Sequence, residues 1–411
     1  MSNTYFNISD KLRLYEFDGL LDQYGDAAAA YSLRKLRSGY TGSAIRVRRS
    51  SDNTERDMGF WNNELDTIAL LDWVNEEYVT YESNFAAGGD GYSVLQMVQT
   101  FSESIAGEND ATKFELISGD GNHYAYYGSG SIKIGQTMKV TGRYYIPSTN
   151  VSCNAIRISG GSSEFVFANT LDEWAEFEHI TTATVSYAIF RAANGTNTTL
   201  DGDDDVFYLK DVVYTQTTAD GLVHTWYDQS ANANHAVQGT ATAQPKIVDA
   251  GALVTTDSKP SLKFDGVDDF YQINRSYTQP YTLATVFKYN LLQPFDFVLS
   301  GSATHALGSD GSGNHRIYAG VNLLSGTTDL TQKSHFAMYN GATSQYSVNG
   351  NNVTGDAGTG NTFQFLIGKR GGGAGAPLAN ANISEVLVYD TDESSIRTDV
   401  ETNINNYYSI Y

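Results

Sequence analysis

The sequence predicts an all-β protein: one β-sandwich interrupted by a second, with only a few short helices. Three observations predict it. The chain has 28 Tyr and 39 Gly against 6 Pro, a mix of strand formers and turn formers. Runs such as "SIKIGQTMKVTGRYYIP", "EFEHITTATVSYAIFRA" and "DVFYLKDVVYTQT" alternate with the period of a half-buried strand. Finally, these runs, between residues 78 and 218, differ in texture from the segments on either side, which read as continuous with each other. That pattern is expected when one domain is inserted through a surface loop of another.

Length and charge bound the function. A chain of 411 residues, 41% hydrophobic and 12% aromatic, has enough apolar surface for two cores and is not a disordered tail. The 47 acidic residues outnumber the 26 basic ones, for a net charge of -21. This argues against a nucleic-acid partner, which needs positive surface. No run reaches the apolar length of a membrane span, so no membrane partner is expected. The single cysteine, Cys153, leaves no intrachain disulfide. The opening "MSNTYFNISDKLRLYEFDG" lacks the apolar core of a signal peptide, so folding in a cytosol is expected.

The elements follow in order. Residues 1–17 carry Tyr5, Phe6, Ile8, Leu12, Leu14, Tyr15 and Phe17. They are expected to form an attachment segment, adding a strand to a neighbour's sheet edge in a homo-oligomer, a trimer. In "AYSLRKLRSGYTGSAIRVRRSSDNTERDMGF", residues 30–60, seven basic residues gather: Arg34, Lys35, Arg37, Arg46, Arg48, Arg49 and Arg56. Asp26 is placed to cap a short helix with Ala29, Leu33 and Leu36 on one face and Gly39 as its stop. Ala44 to Arg48 alternates as a strand. The arginines are expected to meet the chain's own carboxylates and carbonyls rather than an acidic polymer. A second helix is expected over Leu65 to Val74, with Ile68, Leu71 and Trp73 or Val74 inward. Beyond residue 218 come antiparallel strands. Among them "VNGNNV" carries the Asn-Gly pair of a tight hairpin. Ile383 to Tyr389 reads as a strand. Asp392 then caps a helix with Ile396, Val400, Ile404, Tyr407 and Tyr408 near one face.

Two stretches, "SLKFDGVDDFYQI" and "ISEVLVYD", resemble the laminin-G-like, concanavalin A-like jelly-roll superfamily. The arginine-rich stretch together with "TWYDQSANANHAVQ" resembles the catalytic sandwich of fungal α-L-arabinofuranosidase B, and phage virion proteins that share its signature. The resemblance covers residues 20–76 and 220–411. It implies a concanavalin A-like jelly roll over 18–77 and 219–411. It also implies a virion structural protein at the particle surface, as head decoration, fibre or tail, touching other virion proteins. Such proteins fold in the host and leave by lysis, which fits the missing signal peptide. The middle module, 78–218, resembles the carbohydrate-binding sandwiches inserted in phage tail and capsid proteins, which implies adhesion to host-surface glycans. The alternative is a glycoside hydrolase of the arabinofuranosidase type. Against it, the adjacent-cysteine pair of that family is absent. Ala231 and Ala233 replace two glycines of its loop, and Ala319 to Leu323, where its nucleophile motif would fall, holds no carboxylate. No enzymatic activity is therefore expected.

Candidate chemistry is weighed on the same terms. Retaining glycosidases need two carboxylates about 5 Å apart. Asp228, Asp265, Asp268, Asp269 and Glu385 are the candidates, with Asp265-Gly266 expected to be a turn and Asp228 expected to tie down its own loop. "LDGDDDVFYLKD" is dense in hard oxygen ligands but does not complete an EF-hand. A solvated turn is one reading. A structural calcium at Asp205 and Asp211 is what the carbohydrate-module resemblance implies, and no other cofactor is expected. "IGKRGGGAGAP", 367–377, lacks the order of a phosphate loop. Tyr124 and Tyr126, on one strand face, and Trp174 are the candidates for stacking on a sugar.

Overall fold

The computed structural model describes residues 17–82, 92–117, 120–127, 132–168, 170–186, 188–195, 199–201, 204–301, 305–371 and 378–411. It is an all-β protein with few short helices. The chain divides into two compact units. An outer unit takes the residues up to Arg49, Asn53–Leu71 and Gly221–Tyr411, and an inserted unit takes Asp72–Asp220 with Ser50–Asp52. The attachment segment expected over residues 1–17 lies outside the described residues except for Phe17. So do residues 372–377 of the glycine-rich stretch.

The inserted unit is a sandwich of a five-stranded and a six-stranded antiparallel sheet. The first runs in the order Phe165–Ala168, Ala155–Ser159, Ala188–Ala193, Tyr124–Tyr127 and Tyr92–Leu95. The second runs from Ala175–Thr182 through Thr137–Tyr145, Val206–Gln216 and Glu108–Leu116 to Met97–Ile105. Tyr78–Glu82 also pairs with Val206–Gln216, placing Tyr78 opposite Gln216. The two ends of the insertion thus leave side by side, the geometry that a surface loop tolerates. Alternation fills the core. Met138, Val140 and Tyr144 turn inward from Thr137–Tyr145, to meet Phe114, Phe177, Phe190 and Phe207. Phe114 stacks on Phe207 at 4.9 Å. Gly142 is required there, because a Cβ would stand 2.7 Å from the Phe177 ring. Cys153 belongs to this core, and burial pushes its thiol up to about 12, so it stays protonated and unreactive.

The outer unit is one antiparallel network that closes on itself. Its spine is Asn380–Tyr389, buried along nearly its whole length. This strand pairs with Ala29–Ser32, Leu262–Asp265 and Tyr281–Tyr289. Tyr281–Tyr289 continues to Lys333–Tyr339, Ser344–Val348 and Asn351–Gly355. The last two strands are joined through Asn349 and Gly350, both at positive φ (50° and 76°), the backbone of a type I′ turn. The C-terminal helix Arg397–Tyr408 follows a 3-10 turn at Ser394–Ile396, where Asp392 accepts from the Ser394 N–H. Val400, Ile404 and Tyr408 pack from it against Leu20, Leu36, Val286 and Leu387.

Two helix expectations need correction. Ala29–Ser32 is a strand, paired residue for residue with Val388 to Glu385. Asp26 is no cap, for it sits at φ 66°. All four strand residues are buried, and pairing with the spine overrides the helical preference of alanine. A short helix forms earlier, at Leu20–Gln23. The second helix spans Thr67–Val74, with Asp66 accepting from the Ala69 N–H at its start. Leu70 and Val74 face inward, while Ile68 is 71% exposed. Leu70 and Val74 are four residues apart and share one face, and Ile68, two residues before Leu70, lies about 200° round the helix from it.

Candidate functional site

The basic cluster resolves into separate structural roles. Arg34 lies against Glu385, which is fully buried, with Nε and Nη2 at 2.8 and 2.9 Å from its two carboxylate oxygens. Arg46 holds Asp57 in a two-pronged pair at 2.8 Å. Arg48 donates to Gln244, Asn53 and the Ala241 carbonyl. These arginines are compensated within the outer unit. Arg37 is not: its guanidinium has no hydrogen-bond or ion-pair partner among the described residues, and the Asp22 carboxylate is a charge near it.

The loop after Gly221–Trp226 is built around Asp228. Its buried carboxylate accepts from the N–H groups of Ala30, Ser230 and Asn234 and from the Ser230 hydroxyl. Gln229 bridges the Ser32 and Arg34 carbonyls and accepts from the Leu36 N–H. Asn232 and Asn234 donate to the carbonyls of Ala27 and Ala28. This polar loop is a rigid wall fastened to the strand Ala29–Ser32.

Of the candidate acids, Asp265 and Asp268 lie close together with an exposed and a half-buried side chain; the others are buried. Glu385 and Asp228 are engaged as above. Asp265 accepts from the Val267 and Asp268 N–H groups around Gly266, which has φ +77°, so this segment is a turn. Asp269 accepts from the Asp265 N–H and is 4% exposed. Burial and the neighbouring Asp265 push its carboxyl up to about 7. The three carboxylates lie within 4.8 Å of one another, but Asp269 is shut away from any sugar.

The two calcium candidates do not meet. Asp205 accepts from the N–H groups of Val151, Ser152 and Cys153 and from the Ser152 hydroxyl. Burial would raise its pKa, but these donors hold it below the usual carboxylate range. Asp211 stands exposed at φ 52° in the strand Val206–Gln216 that follows, roughly 20 Å further along at the rise of an extended chain. The pair cannot share a cation, because Asp205 spends its oxygens closing the 151–153 loop. Asp203 lies outside the described residues.

The aromatic candidates fall on opposite sheets. Tyr124 and Tyr126 project from the outer face of the five-stranded sheet, their intervening Ala125 entering the core. The ring centroids are 6.1 Å apart and the planes 50° apart. Arg191, opposite Tyr124 in the ladder, lies over its ring at 5.4 Å. Trp174 immediately precedes the strand Ala175–Thr182 and packs on the other sheet. It packs on Tyr145 at 5.7 Å, receives Arg143 on its face and donates its indole N–H to the Ile105 carbonyl. One platform from all three residues is therefore excluded. Arg191 is the member that sequence reading missed; its only signal was alternation within "YAIFRA".

A cleft of about 500 Å³ in the outer unit was also missed. Asp26, Arg37, Asn232, Asn234, Arg275, Tyr277 and Asp390 line it. Its parts come from four separated segments, and only folding joins them.

No protein-family model matches the chain, and no curated protein matches it. Alignments with solved structures cover parts of it. The CBM22-1 xylan-binding domain of Paenibacillus barcinonensis Xyn10C aligns at 8% identity and TM-score 0.25, covering 34% of this chain and 96% of its own. The CBM22-1 and GH10 modules of Clostridium thermocellum xylanase 10B, complexed with xylohexaose, align at 16% and 0.27, over 34% and 28%. Trypanosoma rangeli sialidase, in complex with sialic acid, aligns at 14% and 0.34, over 76% and 53%. The chain thus spans about half of the sialidase's length. At such identities and scores the likeness extends to neither ligand nor activity.

Proposed function

We propose that the protein is a non-enzymatic phage virion structural protein, displayed on the particle surface, that holds host-surface glycans. The observation that carries glycan binding is the Tyr124–Tyr126 pair with Arg191 beside it. Both rings are half-buried and sit on the face turned away from the core. Aromatic rings gain by covering the apolar C–H faces of a sugar, while a guanidinium donates to hydroxyls around it. The non-enzymatic part is supported by Asp228 and Glu385, whose carboxylates are consumed by structural bonds, and by the enclosure of Asp269. The place on a particle is supported by the resemblance of the arginine-rich stretch and the Asp228 loop to virion proteins. A homo-oligomer, a trimer attached through residues 1–17 to other virion proteins, belongs to the same proposal.

A glycan array tests the binding. The wild-type protein should retain at least one glycan, and the Tyr124→Ala/Tyr126→Ala variant should lose it with its melting temperature unchanged. An array without signal, or equal signal from the variant, would refute the reading. Mass spectrometry of purified particles tests the location: the chain should copurify in stoichiometric amount, and its absence would refute the virion role.

A further inference from the structure

The outer unit holds a second constellation that the Tyr124–Tyr126 face does not use. The cleft of about 500 Å³ is lined by two guanidinium groups, Arg37 and Arg275, and two carboxylates, Asp26 and Asp390. The Arg37 guanidinium has no hydrogen-bond or ion-pair partner among the described residues; only its main-chain carbonyl is engaged, by the Tyr40 N–H. Arg275 is oriented through Nε, which donates to Asn234 Oδ1 at 2.8 Å, and its terminal nitrogens bond no described residue. Tyr277 lines the same cleft. It is only 5% exposed, yet its hydroxyl has no hydrogen-bond partner. A buried hydroxyl without a partner costs free energy, and an oxygen seated in the cleft would satisfy it.

We propose that this cleft binds a carboxylate-bearing saccharide unit. The sugar carboxylate meets the free Arg37 guanidinium, the geometry of a charge-assisted two-pronged pair. Ring hydroxyls take the terminal nitrogens of Arg275 and the Tyr277 hydroxyl as donors, and Asp26 and Asp390 as acceptors. The lining decides between anions. A bare phosphate offers two negative charges and would face both aspartates, whereas a sugar acid offers one charge and several donors. The apolar part of the lining comes from Ala27, Ala28 and Ala231, which suits a polyhydroxylated ring better than an apolar peptide side chain. The wall is already built, because Asp228, Asn232 and Asn234 fix the loop against Ala27, Ala28 and Ala30. Little ordering therefore opposes binding. In a chain of net charge -21, an arginine whose guanidinium has no hydrogen-bond or ion-pair partner in a polar cleft is the feature that would draw an anionic sugar against the overall field.

Isothermal titration of the full-length protein tests this. The probes are tri-galacturonate and sialyllactose, which separate a uronate from a nonulosonate source, with their methyl esters and lactose as neutral controls. At least one acidic probe should bind, and its ester should bind about tenfold or more weakly, the loss of one charged pair. Arg37→Gln should weaken the acidic probe by a similar factor. Tyr277→Phe should weaken it severalfold. Tyr124→Ala/Tyr126→Ala should leave it unchanged, so failure here and failure of the proposed glycan face are distinguishable. Equimolar inorganic phosphate should not compete. Absence of binding at about 10 mM probe, equal binding of the ester, an unchanged Arg37→Gln isotherm, or competition by phosphate would each overturn the assignment.

Discussion

Arg34 and Glu385 meet in the interior of the outer unit as a two-pronged ion pair, across a sequence separation of 351 residues. Glu385 Oε2 also accepts from the Ser32 hydroxyl at 2.8 Å, and Arg34 Nη1 donates to Asn403 Oδ1 at 3.0 Å. The Arg34 guanidinium stands over the Tyr407 ring at 4.6 Å. The strand Ala29–Ser32, the spine and the last helix are thus locked by one set of polar contacts.

Removing one partner leaves a buried charge unpaired. Arg34→Met or Glu385→Leu should each destabilise the protein by roughly 3–5 kcal/mol. The double variant should be less destabilised than the sum of the singles. Chemical denaturation of the three variants measures this, and additive losses would show that the pair is not coupled.

Buried histidines set the acid limb of stability. Burial pushes His305 down to about 3 and His315 down to about 4, against an ordinary 6.5. Each binds fewer protons folded than unfolded between those values. Their contribution is complete above about pH 6.5 and is lost as pH falls toward 4, at about 1.4 kcal/mol per pH unit per group. The melting temperature should fall over that window, and His305→Gln should make the fall shallower.

Asp296 acts in the opposite sense. It is 2% exposed, both carboxylate oxygens lack a hydrogen-bond partner, and burial raises its carboxyl to about 7. A raised folded value gives stability that is full below about pH 3.8 and lost as pH rises through 7. Asp296→Asn should therefore stabilise the protein more at pH 8 than at pH 5. A gain independent of pH would contradict this ionisation.

The insertion gives a deletion test. Tyr78 and Gln216 face each other across adjacent strands, so a short Gly-Ser bridge in place of residues 78–218 spans the gap. The shortened chain should fold with a cooperative thermal transition. Failure to fold would mean that the two units share a core.

Much of the fold was legible because alternation is local. Met138, Val140 and Tyr144 point inward as their spacing requires, and Asn349-Gly350 makes its turn from its own φ preference. Ala29–Ser32 was illegible, because its state is set by the spine strand, more than 350 residues away in sequence. The same limit applies to sites. Asp228 could be read as a loop tie, since Ser230 and Asn234 lie close behind it in sequence. Arg34 and Arg37 look alike in sequence, but one lands on Glu385 and the other in an open cleft. Tyr124 and Trp174 look equally suited to a sugar until strand pairing sends them to different sheets.

Tyr124 and Tyr126 are proposed to hold a glycan without cleaving it. Saturation-transfer NMR on the full-length protein with the array's strongest ligand measures both parts in one sample. Transfer to the sugar's C–H protons is expected, with its loss in Tyr124→Ala/Tyr126→Ala and anomeric signals unchanged over a day. Transfer that survives the double substitution, or new reducing-end signals that grow with time, would contradict it.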